Sequence, residues 1–184
     1  MKILNFATVA ALVLSSSLAS AEAVPEGVKS IAPTLMDYGK SPALIAAVKQ
    51  QNASGLSLDE IKKRDSDWRA ATGVNEFMKS LMSGAAAKQM LSIEQSRPYF
   101  IEFFLMDNQG ANVAMTSKTS DYWQGDEAKW KQSYKNGEGA LHIGEVEFDT
   151  SAQAYLVQVS VPVVDGGKTI GAMTIGINLD ELEK

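Results

Sequence analysis

The spacing of apolar residues divides the chain into two halves. Between residues 42 and 98, apolar positions recur every three or four residues, which is typical of amphipathic helices. From residue 99 onward they alternate with polar positions or form short runs rich in aromatic and β-branched residues. The sequence therefore predicts a helical half followed by a half made of strands.

Polar residues with known capping preferences mark the predicted helix starts. Ser41 can cap free N–H groups, and Pro42 is well tolerated at the first helical position. Ser57 and Glu60 have the spacing of a capping box, which predicts a helix from there through residue 68. Asn75 can cap a further helix.

The limits of the helical half are set by glycine and proline. Gly84 is expected to interrupt the helix that begins after Asn75, and residues 85–94 again have a helical pattern. Residues 22–40 contain two prolines and have weak periodicity. We expect them to form a lead-in with one or two helical turns.

The second half predicts strands joined mainly by tight turns. Asp165, Gly166 and Gly167 have the composition of a hairpin turn. Because consecutive strands joined by hairpins pair antiparallel, the predicted class is α+β, with a five-stranded antiparallel sheet, N-terminal helices and one inserted helix at 127–135. The strands are expected at residues 99–106, 111–119, 141–148, 154–164 and 169–178.

The N-terminus has the layout of a secretory signal peptide. Lys2 precedes an apolar stretch that ends in the small residues Ala19, Ser20 and Ala21. Cleavage would leave residues 22–184 as a single periplasmic domain. The alternative, a retained anchor helix, needs a run of about 20 apolar residues. No second long apolar run follows, so no stable membrane insertion is expected after cleavage.

Charge and composition exclude several functions. The formal net charge of −5 makes nucleic acid and anionic membrane surfaces poor partners. The chain has no cysteine and one histidine, His142, for which the sequence shows no metal-ligand or triad partners. We therefore expect no metal, no cofactor and no enzymatic activity.

Several segments of the second half are distinctive in their order and spacing. They are 106–110, 119–127 with Trp130, 148–151, 159–163 and 169–172. Together they resemble the extracellular Cache sensor family, also called PDC-type sensor domains. The resemblance covers roughly residues 42–180 and is firmest over 99–178. It implies a PAS-like sheet and a pocket for a small metabolite, often an amino acid or a carboxylate.

Members of that family normally continue from the last strand into a transmembrane helix and an output module. Here the sequence ends at Lys184, shortly after the last predicted strand. The expectation is a free-standing exported sensor that signals through another molecule. A membrane receptor and a homodimer are the partners considered.

The segment 121–130 is the main candidate for a ligand site, because the insert between the second and third strands of a PAS-like sheet covers one face. Tyr122, Trp123 and Trp130 would supply flat walls with polar tips. Asp121 or Asp126 would accept hydrogen bonds from a ligand ammonium group. Alternatively, the aromatic residues anchor the short helix and Asp126 caps it.

The other candidate residues lie on the strands. Asp149 is placed at the pocket rim by the resemblance, although an Asx turn between strands is the interpretation that we favour. Tyr99 and Lys118, on the first two strands, complete the predicted ligand-binding set. Glu102 is unusual in an apolar strand, so it either faces a polar pocket or pairs with a lysine or arginine of a covering element.

Asp65 and Trp68 lie late in a predicted helix. Either they orient this helix on the sheet, or Asp65 belongs to a solvated acidic face beside a buried Trp68. We favour the second interpretation.

The leading functional hypothesis is a sensor module that binds a small molecule. The alternative is a protein-interaction module with a vestigial pocket and a working surface on the N-terminal helices.

Overall fold

The computed structural model describes residues 23–150 and 153–184, so the predicted signal peptide lies outside the described residues. Helices fill most of the first half and strands most of the second, as predicted. The helices are α1 (Glu26–Leu35), α2 (Pro42–Asn52), α3 (Leu58–Ala70), α4 (Glu76–Ser83), α5 (Ala85–Glu94), α6 (Ala128–Tyr134) and α7 (Leu179–Leu182). The strands are β1 (Phe100–Met106), β2 (Asn112–Met115), β3 (His142–Asp149), β4 (Ala154–Asp165) and β5 (Lys168–Asn178).

Two of the three predicted caps are confirmed. Ser57 and Glu60 form a reciprocal capping box at the start of α3. The Asn75 side chain accepts a hydrogen bond from the Met78 N–H at the start of α4. Ser41 precedes α2 as predicted, but its side chain makes no capping hydrogen bond. The start of α2 therefore depends on Pro42 and on packing.

The described strands form one antiparallel sheet in the order β2-β1-β5-β4-β3. Gly166 and Gly167 form the two-residue turn between β4 and β5, both with positive φ, as a hairpin of this kind requires. The predicted α+β class with a five-stranded antiparallel sheet and an inserted helix is thus confirmed.

Two elements differ in length from the prediction. The lead-in forms a ten-residue helix, α1, because Val28, Ala32 and Leu35 recur at helical spacing and are buried. The second strand ends at Met115 rather than at residue 119. There the Thr116 hydroxyl, not a strand carbonyl, accepts the hydrogen bond from the N–H of β1 residue Phe103.

Each face of the sheet is covered by a different layer. Alternate residues of β4, such as Val157 and Val159, face a helix-side core shared with α1, α2 and α5. On the other face, Phe104 and Met106 join a lid-side core formed with α3, α4 and the segment 116–127, here called the lid. Within residues 23–150 and 153–184, no helix has the length and apolarity needed to cross a bilayer.

Candidate functional site

The lid connects β2 to α6 and runs along the β1–β2 hairpin. The Gln124 N–H donates to the Gly110 carbonyl at 2.7 Å, and the Asn112 N–H donates to the Tyr122 carbonyl at 2.9 Å. Gly110 has φ of +86°, and a Cβ there would lie 2.4 Å from the Cα of Gly125. Glycine at this position therefore allows the lid to approach the hairpin closely.

Asp65 of α3 fixes the lid from the helical layer. The residue is only 1% exposed, and its Oδ1 accepts hydrogen bonds from the N–H groups of Tyr122 at 2.9 Å and Trp123 at 3.0 Å. Its Oδ2 pairs with Arg69. The interpretation of Asp65 as part of a solvated acidic face is therefore wrong, although Asp67 is exposed. Asp65 orients α3 on the lid instead.

The tryptophan side chains fix the same region through their indole N–H groups. Each donates to a backbone carbonyl of the lid or of the β1–β2 turn. These bonds join Trp68 to Thr119 at 2.9 Å, Trp123 to Gln109 at 2.7 Å and Trp130 to Asp107 at 2.9 Å. Their polar atoms are thus engaged within the protein.

Tyr122 is completely buried in the lid-side core. Its ring lies 5.8 Å from that of Trp68 and 5.4 Å from that of Phe77, measured between ring centroids. Aromatic contacts at these distances hold the lid against α3 and α4. The arrangement corresponds to the anchoring interpretation of the lid aromatics.

A polar groove of about 410 Å³ opens between the lid and the sheet. The sheet contributes Glu102 and Phe104 of β1, Asp149 of β3 and Gln158 of β4. The lid and α6 contribute Lys118, Thr119, Ser120, Gln124 and Lys129. Two acidic and two basic side chains therefore line one small cavity.

Glu102 crosses the neighbouring strand to reach the groove. On β5, Gly176 is the residue opposite both Glu102 of β1 and Gln158 of β4. A Cβ on Gly176 would lie 2.4 Å from the Glu102 Cγ, so the glycine leaves the space that the carboxylate chain occupies. Across it, the Gln158 Nε2 donates to the Glu102 Oε1 at 2.7 Å.

The charge state of Glu102 reflects this position. Burial raises the pKa of Glu102, and the Asp149 carboxylate raises it further. The hydrogen bond from Gln158 and the nearby Lys129 ammonium lower this pKa. Because burial is the largest of these causes, the pKa lies above its ordinary value. The first alternative considered for Glu102 therefore holds, since it faces a polar cavity. Lys129 of the covering helix α6 is near enough to lower its pKa, but forms its ion pair with Glu127.

Lys129 of α6 is held at the mouth of the groove. Its side chain is 20% exposed, and its Nζ forms an ion pair with the Glu127 carboxylate at 2.8 Å. The same Nζ lies 5.5 Å from the centroid of the Phe104 ring. These contacts orient a cation toward the floor of the groove.

Two of the eight predicted ligand-binding residues line the groove, namely Lys118 and Asp149. The other six lie elsewhere in the structure, and their direct contact with a ligand remains a prediction. They are Tyr99, Asp121, Tyr122, Trp123, Asp126 and Trp130.

The positions of three of these six have simple explanations. The Tyr99 ring packs edge-on against that of Phe100, next to the helix-side core. The Asp121 carbonyl accepts a hydrogen bond from Asn112 within the lid. Asp126 is exposed and does not cap α6, since the residue at the N-cap is Glu127 and no side chain caps the helix there.

Sequence reasoning missed six groove residues that the fold brings together: Phe104, Thr119, Ser120, Gln124, Lys129 and Gln158. Gln158 carried a usable signal, because it is a polar residue that alternates with valines in a long apolar strand. Lys129 carried none, since a lysine on a short helix is ordinarily solvated. Its role depends on how α6 lies over the sheet.

A second cavity of about 390 Å³ adjoins the groove along β3. It shares Lys129 and Gln158 with the groove and adds His142, Glu145 and Glu147. Burial lowers the pKa of His142. Within the described residues no group of histidine, cysteine or acidic side chains could hold a metal ion.

The chain is similar to several solved sensor domains. The sensor domain of the V. cholerae histidine kinase DctB is 12% identical, with a TM-score of 0.44, over 86% of this chain and 50% of that one. The ligand-binding domain of the Campylobacter jejuni chemoreceptor Tlp3, solved with L-norvaline, is 13% identical, with a TM-score of 0.43, over 86% and 62%. The ligand-binding domain of the Pseudomonas aeruginosa amino acid chemoreceptor PctC, solved with GABA, is 12% identical, with a TM-score of 0.40, over 85% and 62%.

The chain thus spans between half and two thirds of the length of these solved domains. No curated protein matches it. A family model does: the first PDC sensor domain of methyl-accepting chemotaxis protein-like receptors matches residues 75–184, which include the lid, the groove and the whole sheet. The chain therefore belongs to the family of methyl-accepting chemotaxis protein-like PDC sensor domains.

Proposed function

We propose that this protein is a periplasmic sensor module that binds an amino acid or a similar small metabolite in the groove and signals through a partner. The observation that carries the proposal is the presence of both charge signs around a single cavity of about 410 Å³. Glu102 and Asp149 suit an ammonium group, and Lys118 and Lys129 suit a carboxylate. The volume lies within the range of small-molecule sites.

Other groove residues would orient the ligand. The Phe104 ring offers a flat apolar surface beside the Lys129 ammonium. Gln158 is held by its bond to Glu102 and offers a neutral polar contact. Such a site recognises its ligand by paired charges and hydrogen bonds, and the family to which the chain belongs consists of receptor sensor domains rather than enzymes.

The first test is a thermal shift screen of the purified protein against amino acids, organic acids and amines. A ligand at a hundred times its dissociation constant is expected to stabilise the fold by about 2.7 kcal/mol. Zwitterions should give larger shifts than their decarboxylated or deaminated analogues. A flat response across the panel, with no ligand retained through purification, would contradict the proposal.

Glu102→Gln is expected to weaken binding of the best zwitterionic ligand by at least about tenfold, because a charged partner of the ammonium group is lost. Isothermal titration calorimetry measures this directly. The matched control is Glu138→Gln, which alters an exposed carboxylate paired with Lys135 outside the groove. Equal affinities in the two variants would remove Glu102 from the site.

Acidification should weaken ligand binding at a higher pH than for an ordinary glutamate, because the pKa of Glu102 is raised, chiefly by burial. The effect on the free protein has the opposite sign. An ionised Glu102 with a raised pKa costs stability above that pKa, and protonation relieves the cost as the pH falls through it. Calorimetric titrations and urea melts over one pH series separate these trends, and Glu102→Gln should reduce both.

The periplasmic location is a second part of the proposal. Residues 1–21 have the layout of a cleaved signal peptide. Mass spectrometry of the protein recovered from the periplasm is expected to find a mature chain beginning at Glu22. Recovery of the intact N-terminus in the membrane fraction would contradict export by cleavage.

One observation favours the alternative, a protein-interaction module with a vestigial pocket, although it places the contact surface on β3 and β4 rather than on the N-terminal helices. Phe148 of β3 and Tyr155 of β4 are each 50% exposed, and their rings contact each other at a centroid distance of 5.2 Å. Exposed aromatic pairs often mark contact surfaces. Under this alternative, Phe148→Ser would abolish partner binding while Glu102→Gln would leave function intact.

A further inference from the structure

A third and larger cavity lies at the β2 edge of the sheet. It has a volume of about 600 Å³ and is enclosed by α2, α3, the α4–α5 junction and β2. It shares no lining residue with the groove. Small side chains create the space, because alanines of α2 and α5 face each other across it, among them Ala43, Ala47 and Ala86.

The chemistry of this cavity differs from that of the groove. Arg64 of α3 is the single charged residue that lines it, and the other walls are apolar or neutral. Gly84, Ala85 and Ala86 also line it, and no side chain caps α5, which begins there. Both Arg64 and the positive end of the α5 dipole favour a negatively charged occupant.

Arg64 is available for such an occupant. Among the described residues, no carboxylate forms an ion pair with it. Glu60, one turn earlier, is the natural candidate, but its Oε2 accepts from the Ser57 N–H at 2.9 Å and from the Ser57 hydroxyl at 2.6 Å. The Arg64 guanidinium lies over the Phe77 ring, 5.5 Å from its centroid.

The Tyr122 hydroxyl lies behind Arg64 and does not line the cavity. The residue is completely buried, and its hydroxyl makes no hydrogen bond of ordinary geometry within the described residues. Its neighbours there are Arg64 and Gln51, both of which line the cavity. Burial raises the pKa of Tyr122, so the hydroxyl stays a donor at neutral pH. It therefore backs these two cavity residues from inside the protein.

Asp107 is the acidic group closest to this arrangement. It raises the pKa of Tyr122 but does not line the cavity. Its carboxylate accepts hydrogen bonds from the Gln109 N–H at 2.8 Å, the Ala111 N–H at 2.9 Å and the Gln51 Nε2 at 3.1 Å. The Gln51 amide therefore separates this charge from the cavity.

We propose that the cavity at the β2 edge binds a small organic carboxylate with an apolar body, separate from the ligand of the groove. The carboxylate would pair with the Arg64 guanidinium, which the Tyr122 hydroxyl backs from inside the protein. The apolar part would lie along the alanines of α2 and α5. An ammonium ligand would be repelled by Arg64, and a ligand without an apolar body would leave these walls unused.

The occupant would also influence the groove. Arg64 precedes Asp65, which holds the N–H groups of Tyr122 and Trp123, and Tyr122 itself belongs to the lid. A carboxylate bound to Arg64 would therefore act on the lid through Asp65 and Tyr122. Binding in the cavity does not depend on the proposed function, because the two sites share no residue.

The test is an NMR titration of the purified protein, labelled with nitrogen-15, with sodium hexanoate. Two probes of the same chain length, 1-hexanol and hexylammonium chloride, serve as charge controls. Hexanoate is expected to bind at least about tenfold more tightly than either probe, because an arginine–carboxylate contact is charge-assisted. The amide shifts should centre on α2, α3 and the start of α5.

Variants separate the carboxylate site from nonspecific binding. Arg64→Gln should weaken hexanoate binding at least tenfold, and Ala46→Leu, which fills the cavity from an exposed position on α2, should abolish it. Arg97→Gln removes an exposed arginine elsewhere and should leave it unchanged.

The proposal is overturned if 1-hexanol binds as tightly as hexanoate, if Arg64→Gln matches Arg97→Gln, or if the shifts centre on Glu102 and Gln158. Failure of the groove proposal gives a different result. In that case amino acids produce no shifts around Glu102, while hexanoate still titrates the amides of α2 and α5.

Discussion

Asp65→Ala is expected to lower the free energy of unfolding by about 3 kcal/mol, the largest stability effect predicted here. The substitution leaves two backbone donors, the N–H groups of Tyr122 and Trp123, without their acceptor in a buried place. Each unsatisfied buried donor costs about 1–3 kcal/mol. Arg69 also loses its partner, but this arginine is 60% exposed and adds little.

Urea denaturation measures this loss, and Asp67→Ala is the matched control on the same helix. Asp67 forms an ion pair with Lys63 between side chains that are 70% and 78% exposed, so its removal should cost less than about 0.5 kcal/mol. Amide exchange at Tyr122 and Trp123 should accelerate in Asp65→Ala alone. Equal stability losses at the two positions would show that Asp65 does not hold the lid.

Gly176→Ala is expected to destabilise the fold by about 1–3 kcal/mol through overpacking and to weaken ligand binding in the groove at least about tenfold. The new Cβ would lie 2.4 Å from the Glu102 Cγ and 3.1 Å from its Oε1. Glu102 must therefore leave its path across β5, which breaks its 2.7 Å hydrogen bond with Gln158. The two losses have one cause.

A double-mutant cycle with Glu102→Ala isolates that cause. In the Glu102→Ala background the clash is gone, so Gly176→Ala should cost far less stability than in the wild type. The expected interaction energy is about 1 kcal/mol or more, as for residues in direct contact. If the two changes are additive, the space above Gly176 is not what positions Glu102.

The elements with strong local signals were predictable from the sequence. Valines alternating with Gln158 and Ser160 define β4, and the two glycines after Asp165 require a tight hairpin. The second strand was predicted too long because its last residues are compatible with a strand, while the Thr116 hydroxyl ends the pairing. Nothing in the local pattern distinguishes a threonine that does so.

The candidate site was predictable only where one residue was unusual in its own strand. Glu102 in an apolar strand indicated a polar environment, and the structure places it in the groove. The hydrogen bond from the Tyr122 N–H to the Asp65 carboxylate joins residues 57 positions apart, so no local sequence pattern could show it. The lid aromatics have the composition of a binding pocket, yet packing against α3 and α4 explains their positions.

The placement of the tryptophans gives the molecule an intrinsic optical reporter. All three tryptophans of the chain, Trp68, Trp123 and Trp130, bond through their indole N–H groups to carbonyls of the lid or of the turn beneath it. The sheet and the helices α1, α2 and α5 contain none. The intrinsic emission therefore originates around the lid, and its spectrum reports any change in the surroundings of this segment without any added label.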